Sequence, residues 1–112
     1  MPDGKEKLAL ILKMISSSNH YQQNIIDAQQ GMPLAQKLND SFSIAKLYIA
    51  IGEGEYFAGN YDEAATQLFK GIQIFEKKPV SKELGNAFNS IGKLYRKTKD
   101  LDKAEQYYNQ AL

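Results

Sequence analysis

The chain has 112 residues, 43% hydrophobic and 24% charged, which is the size and composition of one small globular domain. A formal charge of +1 supplies no overall field for nucleic acid or for an anionic membrane. The absence of cysteine removes disulfides, thiolate catalysis and cysteine-ligated zinc.

The N-terminal stretch MPDGKEKLALILKMISSS places acidic residues ahead of a short apolar run and lacks a small-residue cleavage site. It therefore does not read as a secretory signal. No apolar run reaches the ~18 residues that a membrane span needs. The compartment stays open: cytoplasm is favoured, and periplasm is allowed if a longer parent protein carries a signal sequence.

Six helices follow in order, near 5–17, 20–38, 41–57, 61–77, 81–97 and 101–112. Ile44, Leu47, Tyr48 and Ile51 recur at helical spacing in the third. Tyr61, Ala64, Ala65, Leu68, Ile72 and Phe75 do so in the fourth. His20 falls in a turn at the start of the second helix. Pro33 lies inside that helix and should kink it, removing one backbone bond. Asn60 with Glu63 reads as a capping box for the fourth helix. Pro79 disfavours helix at Lys78 and so ends the fourth. Ser81 and Asp100 cap the fifth and sixth.

A shift of forty residues overlays the chain on itself without a gap. Ile51-Gly52 falls on Ile91-Gly92, Tyr48 on Phe88, Asp62 on Asp102, Ala64 on Ala104 and Ser41 on Ser81. A weaker copy lies upstream. Leu8, Tyr48 and Phe88 align, as do Ile11, Ile51 and Ile91, then Tyr21, Tyr61 and Leu101, then Gly31, Gly71 and Ala111. The glycine column fails in this first copy, where Leu12 stands in place of Gly52 and Gly92.

These columns resemble tetratricopeptide repeats. The third unit carries Phe88, Ile91-Gly92, Tyr95, Asp100-Leu101, Ala104, Tyr108 and Ala111. The second carries Tyr48, Ile51-Gly52, Gly59-Asn60-Tyr61, Ala64, Leu68 and Gly71. The forty-residue period exceeds the commonest one of about 34, and this longer type is similar to the repeat regions of bacterial regulators. Glu55 departs from the pattern, which prefers tyrosine there. The resemblance implies an all-α fold, a right-handed α-α superhelix of three helix pairs with units near 5–40, 41–80 and 81–112. Gly52, Ala64, Gly92 and Ala104 would be structural positions, small so that paired helices approach closely.

The resemblance also implies a concave groove lined by the first helix of each pair. Unit one would contribute Glu6, Ala9, Lys13, Ser16 and Ser17. Unit two would give Lys46, Ile49, Ala50, Glu53, Tyr56 and Phe57, and unit three Asn86, Asn89, Ser90, Lys93, Arg96 and Lys97. Asn89, Lys93 and Arg96 share one helix face. Lys93 and Arg96 suit carboxylates, and Tyr56 with Phe57 suits an apolar pocket. The implied function is a protein- or peptide-binding scaffold, the sensor module of a larger regulator, whose partner presents an acidic or carboxylate end near unit three. The bland alternative is that Lys93, Arg96 and Lys97 form a solvated face.

Catalysis has little support. His20 is the single histidine, so no metal cluster or charge-relay triad is available, and no cofactor motif is present. Glu53 and Glu55 do not face each other on a helix. An enzyme using a groove carboxylate such as Glu53 is the remote alternative. By repeat logic the chain stops within its sixth helix, as an excerpt of a longer protein would. Tyr108, Ala111 and Leu112 would then be unprotected, and self-association through residues 101–112 is the second alternative.

Overall fold

The computed structural model describes residues 3–78 and 81–111. Pro79 and Leu112, invoked above for a helix stop and an open end, lie outside the described residues. Within them the chain is all helical: α1 Asp3–Ser16, α2 Tyr21–Lys37, α3 Ser41–Ala58, α4 Tyr61–Phe75, α5 Lys82–Lys97 and α6 Leu101–Ala111. Each helix lies within a turn of its expected bounds. The three pairs stack into a helical solenoid with extents of 49 × 30 × 20 Å. Packing runs between neighbours along the chain, supplemented by α1 on α3 and α3 on α5. The first helices of the pairs thus form one inner layer.

Left-handed residues close three of the turns between helices. Gly59 has φ 88°, Asn39 φ 53° and Lys99 φ 67°. Gly59 adopts this conformation without a Cβ penalty, whereas Lys99 fills the same repeat position with a side chain. Ser81 accepts from the Leu84 N–H at 3.3 Å and Asp100 from the Lys103 N–H at 3.3 Å, so both act as caps. Asp40 caps α3 more tightly. Its carboxylate accepts from the Ser43 N–H at 3.1 Å and from the Ser43 hydroxyl at 2.7 Å. These two bonds hold its pKa below the ordinary carboxylate value, with Lys46 and Lys78 adding to the effect and partial burial opposing it.

The capping box expected at Asn60 does not form. Asn60 occupies the N-cap position of α4, but its side chain makes no cap bond. Its Nδ2 donates instead to Glu55 Oε1 at 3.0 Å, and Glu63 accepts from Gln67 Nε2 at 3.0 Å. The carboxylate at 55, where tyrosine was expected, draws the amide across the turn. His20 stands at the N-cap of α2, likewise without a side-chain cap bond. Pro33 sits inside α2, which continues to Lys37.

The core divides into two buried clusters. Leu8, Ala28, Ala35, Leu47 and Ile51 join α1, α2 and α3. Ala64, Leu68, Ile72, Ala87, Phe88, Ile91 and Leu94 join α4 and α5. Burying a side chain such as Leu68 contributes about 2 kcal/mol. A methyl group at Gly52 would stand 2.6 Å from Leu68 Cγ and 3.1 Å from the Ala64 carbonyl oxygen, so α3 and α4 cross at a point that admits only hydrogen. At Gly92 the same methyl would meet the Tyr108 ring at 2.9 Å. Tyr108 and Ala111 are both half-buried.

Candidate functional site

A cleft of about 450 Å³ opens on the inner layer between α1, α3 and α5. Leu12, Ile15 and Ser16 come to it from α1, Tyr21 and Asn24 from α2, and Glu83 and Asn86 from α5. Lys46, Ile49, Ala50, Glu53 and Phe57 form its α3 wall. Their spacing explains the shared face, since steps of three and four residues return to one side of a helix. A small side cleft lies between Glu53, Tyr56, Phe57, Ser90 and Lys93.

Lys46, Ile49, Glu53, Phe57 and Asn86 of the expected groove therefore meet in the main cleft, while Tyr56 and Lys93 border the side cleft. Ile49 is divided in role, because its Cδ1 also lies close over Gly71. Asn89, Arg96 and Lys97 are exposed on α5 but border neither cleft. From unit one only Ser16 of the expected residues lines the cleft. Leu12, Ile15, Ser18, Tyr21, Asn24, Phe75 and Glu83 were not anticipated.

Two of those residues had a signal in the sequence. Leu12 stands in the glycine column, and Asn24 stands in the column of Ala64 and Ala104. Units two and three use these columns for close helix contact. Unit one fills both with larger side chains, and both border the cleft. Asn24 is 6% exposed. Its Nδ2 donates to the Ser18 carbonyl at 3.3 Å, and its Oδ1 has no hydrogen-bond partner among the described residues.

Glu53 is the electrostatic centre. Its Oε2 accepts from the Ser90 hydroxyl at 3.0 Å, joining α3 to α5. The side chain reaches solvent through the cleft mouth, yet protein crowds it on its other sides. That desolvation raises its pKa, outweighing the Ser90 bond and the charge of Lys93, which both lower it. Lys93 occupies the position of Glu53 one unit on, so the inner layer reverses charge between α3 and α5. The Lys46 ammonium lies 5.5 Å from the Phe42 ring centroid, toward the start of α3. Phe57 is 55% exposed but fixed: Tyr21 stacks on it at 3.9 Å and 15°, and Tyr56 meets it edge-on at 5.0 Å.

Among the described residues no three His, Asp or Glu side chains converge as a metal site would require, and no helix is long and apolar enough to cross a membrane. The arrangement suits recognition: an apolar wall, a few directed polar groups and a charged rim.

Known proteins share the helical-repeat fold. Residues 43–112 match a family model described as tetratricopeptide repeat. The fold is similar to the crystal structure of the TPR domain of Arabidopsis FLU, with a TM-score of 0.85 and 22% sequence identity. That similarity covers 96% of this chain and 93% of the other. No curated protein matches the chain.

Proposed function

Since the chain belongs to the tetratricopeptide-repeat family, whose repeats generally mediate protein–protein interaction, we propose that its inner cleft binds an extended peptide segment of a partner protein. In this reading the chain is the interaction module of a regulatory protein. The observation that carries it is the continuous wall Ile49, Ala50, Glu53 and Phe57, apolar with one directed carboxylate, facing Leu12 and Ile15 across open space. Repeats of this family are typically non-catalytic scaffolds. Glu53 spends one oxygen on Ser90, which suits a positioned recognition group. The basic residues Lys93, Arg96 and Lys97 give the α5 end of the groove a preference for a carboxylate.

The test is peptide selection against the chain followed by obstruction of the cleft. Ala50→Arg places a long side chain in the cleft; because Ala50 also packs on the cluster of α1, α2 and α3, the variant's helicity and urea midpoint are measured alongside binding. Peptides selected on the unaltered chain should lose binding to Ala50→Arg, and those ending in a carboxylate should also weaken with Lys93→Ala and Arg96→Ala. Selected peptides that bind Ala50→Arg undiminished would overturn the reading.

A further inference from the structure

We propose that the cleft takes the guanidinium group of an arginine side chain from the bound peptide, held by Glu53, the Asn24 carbonyl oxygen and the Phe57 ring. The inference rests on the peptide-binding reading and adds the chemistry of one anchor.

Asn24 is the first reason. A buried acceptor without a donor costs stability, and native proteins rarely keep one. Packing does not require it, because alanine fills the same column in the other two units. The amide orientation is set by its Nδ2 bond to the Ser18 carbonyl, since the opposite assignment would set two oxygens against each other. A ligand N–H would supply what Oδ1 lacks once a side chain of the cleft wall shifts to uncover that atom, which is closed to solvent in the free chain.

Glu53 is the second. Among the described residues the ion pair within 4.0 Å is Lys103 with Asp100, on α6 and its cap. Glu53 has no such cation. Lys46 is drawn toward Phe42 and Asp40, away from it. Lys93 acts on it only from the side cleft, beyond ion-pair distance. Glu83 adds a second acidic group to the cleft wall, so Glu53 and Glu83 outnumber Lys46 there. An anionic ligand would be repelled at this end of the groove, and a cation is attracted.

Phe57 is the third. Tyr21 covers one face and holds the ring at the cleft wall before any ligand arrives. Flat aromatic surface beside a carboxylate favours a guanidinium, which stacks on the ring while its N–H groups fork to two acceptors. An ammonium is a compact point charge and does not use this geometry as well. Glu53 and Glu83 at the cleft, and the basic residues Lys93, Arg96 and Lys97 farther along α5, then give the groove a direction: arginine at one end, carboxylate at the other.

The probes are acetyl-Leu-Arg-Leu-amide, the same peptide with citrulline, and the same peptide with glutamate. Each is titrated into the ¹⁵N-labelled chain at neutral pH by NMR. The arginine peptide should shift the Asn24 side-chain amide and bind most tightly. Glu53→Gln should weaken it about tenfold and leave the citrulline peptide unchanged, because only a charged donor loses a charged acceptor. Phe57→Ala, at an exposed position, should weaken the arginine peptide as well. Citrulline or glutamate peptides that bind the cleft as tightly as the arginine peptide would overturn the inference while leaving a peptide-binding cleft. If none of the three perturbs the cleft, the inference is also overturned, and the Ala50→Arg experiment separately decides the peptide-binding reading.

Discussion

Where unit three has Tyr95 and Tyr107, unit two has Glu55 and Gln67, forty residues earlier in each case. In unit three the two tyrosines stack at 5.6 Å and 13°, and Tyr107 also meets Phe88 and Phe69. Lys103 lies 5.2 Å over the Tyr95 ring. In unit two the same places carry hydrogen bonds, Glu55 with Asn60 and Gln67 with Glu63. The two units therefore share a backbone and differ in the force that joins their helices. Unit two relies on close approach at Gly52, where Leu68 fits against bare backbone. Unit three relies on aromatic surface. One fold tolerates both because the repeat fixes where helices meet and leaves open which atoms fill the contact.

The sharpest way to break this contrast is a methyl group. Gly52→Ala should destabilise the chain by about 3 kcal/mol in urea denaturation, since overpacking meets Leu68 and a carbonyl together. Gly92→Ala should cost less, because the obstacle is the half-buried Tyr108 side chain, with no backbone atom beside it. Equal costs would remove the distinction. Next in size, Tyr107→Ala should cost about 2 kcal/mol through lost aromatic packing, whereas Gln67→Ala stays within about 0.5 kcal/mol. A large loss at Gln67 would show that hydrogen bonds hold unit two as firmly as rings hold unit three.

The smallest effect separates the caps by pH. Asp40→Ala and Ser81→Ala should each cost about 1 kcal/mol at pH 7. Asp40 has a lowered folded pKa, so its contribution is present above the ordinary carboxylate range and is lost as pH falls through the folded value. Comparing urea midpoints at neutral and strongly acidic pH, the Asp40→Ala difference should vanish and the Ser81→Ala difference persist. An Asp40 effect independent of pH would mean that the carboxylate charge plays no part in the cap.

Much of this was legible in the sequence for a physical reason. The columns Ile51-Gly52 with Ile91-Gly92, and Ala64 with Ala104, record contacts made inside each unit, and a period of forty exposes them. Helix bounds followed from Gly59, Ser81 and Asp100, whose effects are local. The capping role assigned to Asn60 failed because a competing acceptor, Glu55, lies across the turn. Tyr108 fitted the aromatic column, but its neighbour Tyr107 became the hub, a choice made by helix rotation in the packed pair. The cleft was half visible: the α3 wall followed from helical spacing. Leu12 and Asn24 departed from the columns in plain view, yet only the fold shows that the departing asparagine is buried with an unused oxygen.

The inner layer has a further consequence. Contacts join α1 to α3 and α3 to α5, and none join α1 to α5. In energetic terms the molecule is a one-dimensional chain of interfaces, and opening one end leaves the other intact. Amide hydrogens should therefore exchange in a gradient, slowest in α3, whose release alone breaks both inner interfaces, and faster toward α1 and α6. A peptide lying across the cleft touches α1 and α5 together. It would be a strut between parts that otherwise communicate only through α3, so binding would flatten that gradient and make the three pairs open as one.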